Sequence, residues 1–180
     1  MELTCWEADA RVAALDEIMV WALEQHAVDH MLVALRLDQI GNKWRYADPQ
    51  AGEFFQSQFG SYILTGFQAA EWPGTELMGH PGFIYVVKFN EKVKDLILRI
   101  QPSLAKWQRN ETPPLPEDIC LFREGDSHPV LITCTHELYA WLITNKKPTL
   151  QGFRKSNIPP DKLFPTGKYF CRKFKQRKTT

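Results

Sequence analysis

Apolar side chains recur every third or fourth residue in three stretches of the chain, and this spacing predicts amphipathic helices. The first helix is predicted over residues 6–25, as the N-terminal element. A short second helix is predicted over residues 51–60, ending at Gly60, and a third follows Asn90, whose side chain suits a helix N-cap. The predicted inward residues are Val12, Leu15, Met19, Ala22 and Leu23 in the first helix, Phe54, Phe55 and Phe59 in the second, and Val93, Leu96, Ile97 and Ile100 in the third.

Strands are predicted where apolar residues alternate with polar ones or run continuously between turn residues. Residues 30–40 alternate, which favours a strand over a continued helix, and a turn at Gly41 gives a hairpin partner within residues 41–49. The run FIYVVKF, residues 83–89, is rich in β-branched and aromatic residues, so we expect a central strand covered on both faces. Further strands are predicted at residues 61–68, 119–122 and 129–133, the last two forming a hairpin.

A terminal helix, several hairpins and one or two inserted helices predict an α+β fold with a mostly antiparallel sheet. A chain of 180 residues is short enough for one core, so we expect a single domain over residues 1–180. No run of 18 apolar residues is present, and the acidic start lacks the basic region of a signal peptide. We therefore expect a cytoplasmic protein without a membrane span.

Charge is distributed unevenly along the chain. Residues 145–180 hold eleven lysines and arginines and one acid, a net charge of +10. Because the whole chain is +1, residues 1–144 carry −9. We expect the basic, proline-interrupted segment to dock on this acidic body, mainly through aromatic side chains, since exposed ion pairs add little. The aromatic residues expected at this contact are Phe153, Phe164, Phe170 and Phe174.

Residues 168–178, KYFCRKFKQRK, interleave three aromatic side chains with six positive charges. Single-stranded nucleic acids are bound by this combination, through phosphate contacts and base stacking, and an anionic membrane surface is a further possibility. A final strand with a frayed polar tip is the interpretation we favour, because the run is short and the body is acidic. The candidate binding residues here are Lys168, Tyr169, Arg172, Lys173, Phe174 and Lys175.

The stretch CTHE, residues 134–137, is the first candidate for chemistry. Cys134 and His136 are two positions apart and can share one face of a strand, as a thiolate–imidazole pair requires. The alternative is the start of a helix, with Thr135 as N-cap and Glu137 opposing the helix dipole. We favour the helix, in which Leu138, Trp141 and Leu142 would form one inward stripe, and expect Cys134 and His136 to be structural.

Metal binding is not expected. HAVDH, residues 26–30, has the spacing of H-x-x-E-H zinc motifs, but it has Asp29 in place of the glutamate and no third ligand can be named. His26 and His30 are the weak candidates, with His26 expected to pack in the first helix. The four cysteines form no CxxC pair and are expected to be free, mostly buried thiols. They are Cys5, Cys120, Cys134 and Cys171.

Two further histidines, His80 and His128, lie in predicted loops, where an acid–base pair is possible if they meet. No GxSxG, Walker A or GxGxxG motif is present, and no cofactor is expected. The leading hypothesis is a non-catalytic protein-binding module, of the inhibitor or immunity type, for a basic partner. The alternatives are a nucleic-acid-associated protein using the basic C-terminal segment, and a small hydrolase or transferase. The weak catalytic candidates for the enzyme are His80, His128, Cys134 and His136.

Overall fold

The computed structural model describes residues 2–76, 80–123, 125–126 and 128–163. Its helices are α1 Leu15–His26, α2 Pro49–Phe59, α3 Glu91–Ile100 and α4 Pro160–Leu163. Its strands are β1 Thr4–Asp9, β2 His30–Ile40, β3 Lys43–Tyr46, β4 Ile63–Ala69, β5 Glu71–Trp72, β6 Thr75–Glu76, β7 Gly82–Lys88, β8 Glu117–Phe122, β9 Leu131–Cys134, β10 Tyr139–Thr144 and β11 Arg154–Lys155. Short 3-10 turns lie at Gly60–Tyr62, Leu104–Lys106 and Thr135–Glu137.

Nine strands form one sheet in the order β11-β1-β10-β9-β8-β2-β7-β4, with β3 paired to β2. The strand pairs are antiparallel, and β5 with β6 forms a separate short hairpin. The predicted single-domain α+β fold with a mostly antiparallel sheet is confirmed. None of the helices in the described part of the chain is long and apolar enough to cross a membrane.

Both faces of the sheet carry a hydrophobic core. In β2, Met31, Val33 and Leu35 point into the larger core, beside α1, α2 and α3, and Leu32 and Ala34 point into the smaller one. The smaller core is covered by Trp72 of the β5–β6 hairpin and by Leu163 of α4, which are 1% and 8% exposed. The nitrogen of Gly74 donates to the carbonyl of Leu163 at 2.9 Å, so the hairpin and α4 meet above this face.

Several local predictions are confirmed. β2 and β3 form the expected hairpin, β8 and β9 pair antiparallel, and β7 is buried between β2 and β4. The Asn90 side chain accepts a hydrogen bond from the nitrogen of Val93 at 3.1 Å, which caps α3. Helix α2 ends at Phe59, and its cap is the Asp48 side chain, which accepts from the nitrogens of Gln50 and Ala51.

The first predicted helix is wrong over its first half. Residues 4–9 form β1, which pairs with β10 and β11, and the helix begins only at Leu15. The Asp9 carboxylate accepts from the nitrogen of Arg11 at 2.8 Å and turns the chain between the two elements. Helical spacing of apolar residues was misleading here, because pairing with distant strands decided the conformation of residues 4–9.

The helix predicted to start at Thr135 is also wrong. A 3-10 turn, Thr135–Glu137, ends at Leu138, which has a φ of +62°, and the strand β10 follows. Trp141 and Leu142 therefore point to opposite faces of the sheet and do not share a helical stripe. Strand β10 is paired on both sides, with β1 and β9, and these contacts override the local pattern.

Residues 145–163 follow the surface of the body. β11 pairs with β1, Phe153 is 9% exposed in the larger core, and the Ser156 hydroxyl donates to Glu7 Oε2 at 2.7 Å. The rest of the basic segment lies outside the described residues, so docking of the whole segment stays a prediction. Outside them lie Phe164, Phe170, Cys171 and the candidate binding residues Lys168, Tyr169, Arg172, Lys173, Phe174 and Lys175.

Candidate site at Asp118, Cys134 and His136

In the described part of the chain, one group of three acidic, cysteine and histidine side chains is compact enough to hold a metal ion. It consists of Asp118, Cys134 and His136, whose potential ligand atoms all lie within 4.8 Å of one another. Asp118 is the second residue of β8, Cys134 is the last residue of β9, and His136 lies in the 3-10 turn that follows. Since β8 and β9 are neighbours in the sheet, their pairing brings these residues together.

The Asp118 carboxylate is fully buried and accepts four hydrogen bonds. Oδ2 accepts from Trp72 Nε1 at 2.8 Å and from Thr75 Oγ1 at 3.0 Å. Oδ1 accepts from the nitrogen of Thr135 at 2.8 Å and from Thr135 Oγ1 at 3.3 Å. This single side chain therefore ties the β5–β6 hairpin and the 3-10 turn to β8.

Asp118 also has an unusual backbone conformation, with a φ of +59°. The left-handed region is unfavourable for residues other than glycine, although aspartate and asparagine tolerate it best. Burial raises the pKa of the Asp118 carboxyl, and the hydrogen bonds from Trp72 and Thr135 oppose that shift. A strained backbone and a buried acid at one position are features that recur at functional sites.

The neighbouring acid, Glu117, has a different environment. It is 4% exposed, and its carboxylate lies 2.8 Å from Arg36 Nε and 3.6 Å from Arg109 Nε. Two guanidinium groups thus balance Glu117, whereas the Asp118 carboxylate is balanced mainly by neutral donors. The adjacent acids therefore face opposite sides of β8 with distinct roles, an ion pair on one side and a hydrogen-bond centre on the other.

Cys134 and His136 are in contact, as the shared-face interpretation requires. The Sγ atom lies 3.6 Å from Nδ1 and 3.7 Å from Nε2 of the imidazole, and Thr75 Oγ1 lies 3.8 Å from the same sulfur. Burial, and then the nearby Asp118 charge, raise the pKa of the Cys134 thiol to about 12. A catalytic thiolate requires a lowered pKa, so this pair is not prepared for nucleophilic attack.

The two loop histidines do not meet. The His80 ring lies edge-on to Trp44, with centroids 5.7 Å apart, and the neighbouring Pro81 carbonyl accepts from the nitrogen of Leu37 near the end of β2. His128 lies toward the opposite end, in the loop after β8, where Nε2 is 3.2 Å from Asp161 Oδ1. An acid–base pair made of His80 and His128 is therefore not assembled by this fold.

The HAVDH stretch does not have the helical geometry of a zinc motif. Helix α1 ends at His26, Ala27 has a φ of +47°, and His30 already belongs to β2. The His26 ring packs on Trp21 with centroids 4.0 Å apart, and burial lowers the pKa of this imidazole. His30 Nδ1 lies 2.7 Å from Asp29 Oδ1, and its ring stacks on Phe122.

An open groove of about 830 Å³ lies beside the end of α1. Its walls include Trp21 and His26 from α1, and three basic side chains, Arg123, Lys146 and Lys147, line it as well. Arg123 also pairs with Asp126 across the loop, at 2.7 Å. The groove therefore has more positive than negative charge, although it lies on a body whose total charge is negative.

Sequence patterns did not identify Asp118, Trp72 or Thr75 as members of this site. Asp118 immediately precedes an apolar strand, where an acid usually marks the strand's exposed start. Trp72 and Thr75 lie in a stretch that reads as a Gly/Pro loop and in fact forms the β5–β6 hairpin. The only signal was the CTHE stretch itself, which contained two of the three side chains.

No protein-family model matches the chain, and comparisons with curated proteins and with solved structures find no match. The arguments about function therefore depend on the geometry and charge of this chain.

Removal of the Cys134 thiol is expected to have a modest structural effect. Cys134→Ala should lower the free energy of unfolding by about 1 kcal/mol, since a small buried group and its contacts are lost. The folded wild-type protein should react slowly with a thiol probe at this residue, because the thiol is 2% exposed and protonated. Urea denaturation and probe kinetics followed by peptide mass spectrometry measure both effects. Rapid labelling of Cys134 in the folded state would contradict the structural role.

Proposed function

We propose that this protein is a non-catalytic binding module that recognises a basic protein partner through the outer face of α1. Three exposed acids, Asp16, Glu17 and Glu24, surround the exposed Val20 on that face. Their spacing places them within about 100° around the helix axis. Helix α1 contains no lysine or arginine, so the only charged side chains on this outer face are acidic.

Stabilisation of the helix itself explains only part of the negative charge on this face. Asp16 and Glu17 lie in the first turn, where negative charge stabilises the helix dipole. Glu24 lies near the C-terminal end, where a negative charge is unfavourable. Among the described residues, none of the three acids forms an ion pair that would offset this cost. A positively charged partner would compensate Glu24, and this observation carries the proposal.

The enzyme alternative has less support from the geometry. His80 and His128 are separated, and the Cys134 thiol has a raised pKa. Burial also raises the pKa of the Cys5 thiol to about 11. None of these candidates has the environment of an activated nucleophile or of an acid–base pair.

A triple substitution tests the role of α1. Asp16→Asn, Glu17→Gln and Glu24→Gln together remove three charges with little change in size, and should weaken binding of a basic partner about tenfold or more, with a slower association rate. The matched control is Asp38→Asn, Glu53→Gln and Glu76→Gln, which makes the same change at exposed acids elsewhere. Partners captured from the native host, identified by mass spectrometry, are then measured against all three proteins.

The outcomes separate the proposals. A basic protein that binds wild type and control but not the α1 variant supports recognition by α1. Equal loss in both triple variants would indicate a general charge effect, and the α1 face would not be the site. Captured proteins that bind wild type, the α1 variant and the control equally would overturn the proposal.

A second candidate function, association with nucleic acid, is favoured by the basic lining of the groove. Arg123 could contact phosphates there together with Lys146 and Lys147, which lie at the start of the basic segment. In that case the material captured from the native host contains nucleic acid. The affinity for nucleic acid then falls steeply as salt is added, since neutralised phosphates release counterions. Lys146→Gln with Lys147→Gln would then reduce the salt dependence, whereas the α1 variant would leave it unchanged.

A further inference from the structure

We propose that Asp118, Cys134 and His136 form a binding site for a divalent transition-metal ion, with Zn²⁺ as the best-suited ion. The sequence predicted no metal site because no complete ligand set could be identified. The fold supplies the missing ligand from β8, sixteen residues before Cys134 in the chain. The proposal is independent of the binding function proposed for α1.

The separation of the side chains fits tetrahedral zinc. Zinc binds cysteine sulfur at about 2.3 Å and histidine nitrogen at about 2.0–2.1 Å, so the two ligand atoms lie roughly 3.6 Å apart at a tetrahedral angle. Cys134 Sγ lies 3.6 Å from His136 Nδ1 and 3.7 Å from Nε2, so the imidazole has the required separation but must rotate to direct one nitrogen at the metal. No two potential ligand atoms of the group lie more than 4.8 Å apart. Because His136 is exposed, a shift of about 1 Å toward Asp118 meets little resistance.

The hydrogen bonds of Asp118 resemble the outer shell of a metal-bound carboxylate. Trp72 Nε1 and the nitrogen of Thr135 each hold one oxygen at 2.8 Å and fix the orientation of the group. The second donor on each oxygen is a threonine hydroxyl, from Thr75 or Thr135, which can rotate away. A metal ion can therefore use the released lone pair while both N–H donors stay in place, as such donors do around ligating carboxylates.

The ligand types select the ion. One thiolate, one imidazole and one carboxylate suit Zn²⁺ and Co²⁺, whereas Ca²⁺ and Mg²⁺ prefer oxygen ligands alone. On binding, the Cys134 proton leaves to solvent and the sulfur lone pair forms the metal bond, with no change of oxidation state. Three protein ligands leave the fourth tetrahedral position to a water molecule. Asp118 has a left-handed backbone with a φ of +59°, and its carboxylate lies against the 3-10 turn, where Oδ1 accepts from the nitrogen of Thr135 at 2.8 Å.

Titration with Co²⁺ tests the site on the full-length protein, purified without a histidine tag and treated with a chelator. The expected result is one Co²⁺ per chain, with the visible absorption of tetrahedral cobalt and a thiolate-to-cobalt band in the near ultraviolet. Added Zn²⁺ should displace the cobalt and abolish both signals. A thiolate band that is absent at saturating Co²⁺ would overturn the proposal.

Substitutions identify the ligands. Cys134→Ser should abolish the thiolate band, and His136→Asn should weaken Zn²⁺ binding by more than the 10–100-fold typical of an outer-shell change. His136 is exposed, so His136→Asn is the variant that keeps its fold. Cys5→Ser is the matched control, because it removes a buried thiol outside the group, and it should retain the wild-type spectrum. Wild-type affinity in His136→Asn, or loss of the band in the control alone, would refute the assignment.

Discussion

Replacing Asp118 by alanine is expected to destabilise the protein by about 3–5 kcal/mol. The change leaves Trp72 Nε1 and the nitrogen of Thr135 buried without acceptors, at about 1–3 kcal/mol each. Alanine also tolerates the φ of +59° less well than aspartate. Urea denaturation gives the free energy of unfolding. Asp38→Ala, at an exposed position of β2, is the control and should change it by no more than about 0.5 kcal/mol.

Asp118→Asn separates the hydrogen bonds from the backbone. Asparagine also adopts the left-handed conformation readily, and its Oδ1 can still accept from the nitrogen of Thr135. Its amide, however, places N–H groups against Trp72 Nε1, so that two donors face each other. We expect a loss smaller than that of alanine and larger than that of the Asp38→Ala control. An alanine variant within about 1 kcal/mol of wild type would show that the carboxylate does not hold the hairpin.

The parts of the fold that sequence patterns predicted are those determined by local structure. Helix α3 has its own cap at Asn90 and four apolar residues at helical spacing, so neighbouring elements were not needed to define it. Strand β7 is so rich in β-branched and aromatic residues that a helix or a loop is disfavoured there. The hairpin of β2 and β3 is marked by the turn at Gly41, which has a φ of +62°.

The parts that sequence patterns missed are determined by distant contacts. Residues 4–9 form a strand because they pair with β10, which lies 130 or more residues away along the chain, with Cys5 opposite Ile143. In the same way β10 extends between β1 and β9 where helical spacing had favoured a helix. Propensity is a weak guide when a pairing partner lies far along the chain.

The candidate site was half predictable for the same reason. Cys134 and His136 are two residues apart, so their shared face follows from strand geometry even though the helix placed there was wrong. Asp118 and Trp72 come from other parts of the chain, 46 residues apart, and meet only after the sheet and the β5–β6 hairpin have formed. A pattern search therefore finds two of the three side chains and assigns them a structural role at the start of a helix.

Alkaline pH is expected to destabilise the protein strongly, because above about pH 9 three buried thiols keep their protons in the folded chain and lose them in the unfolded chain. Burial raises the pKa of Cys5 to about 11 and of Cys134 to about 12, and raises that of Cys120 well above its usual value. In the unfolded chain these thiols ionise near pH 9. Above that pH the unfolded state binds fewer protons than the folded state, so the free energy of unfolding falls as pH rises.

The window runs from the unfolded pKa near 9 to the lowest of the folded pKa values, about 11 for Cys5. Each thiol contributes a slope of about 1.4 kcal/mol per pH unit there, so three give about 4 kcal/mol per unit, a large share of a typical stability of about 5–15 kcal/mol. Urea denaturation between pH 8 and about 9.5, with a chelator present, measures the onset of this slope, which reaches about half of its full value at pH 9, before most unfolded tyrosines ionise. Cys5→Ala and Cys120→Ala should each reduce the slope by about one third. A slope that neither substitution changes would mean that these thiols are not the protons that the folded state retains.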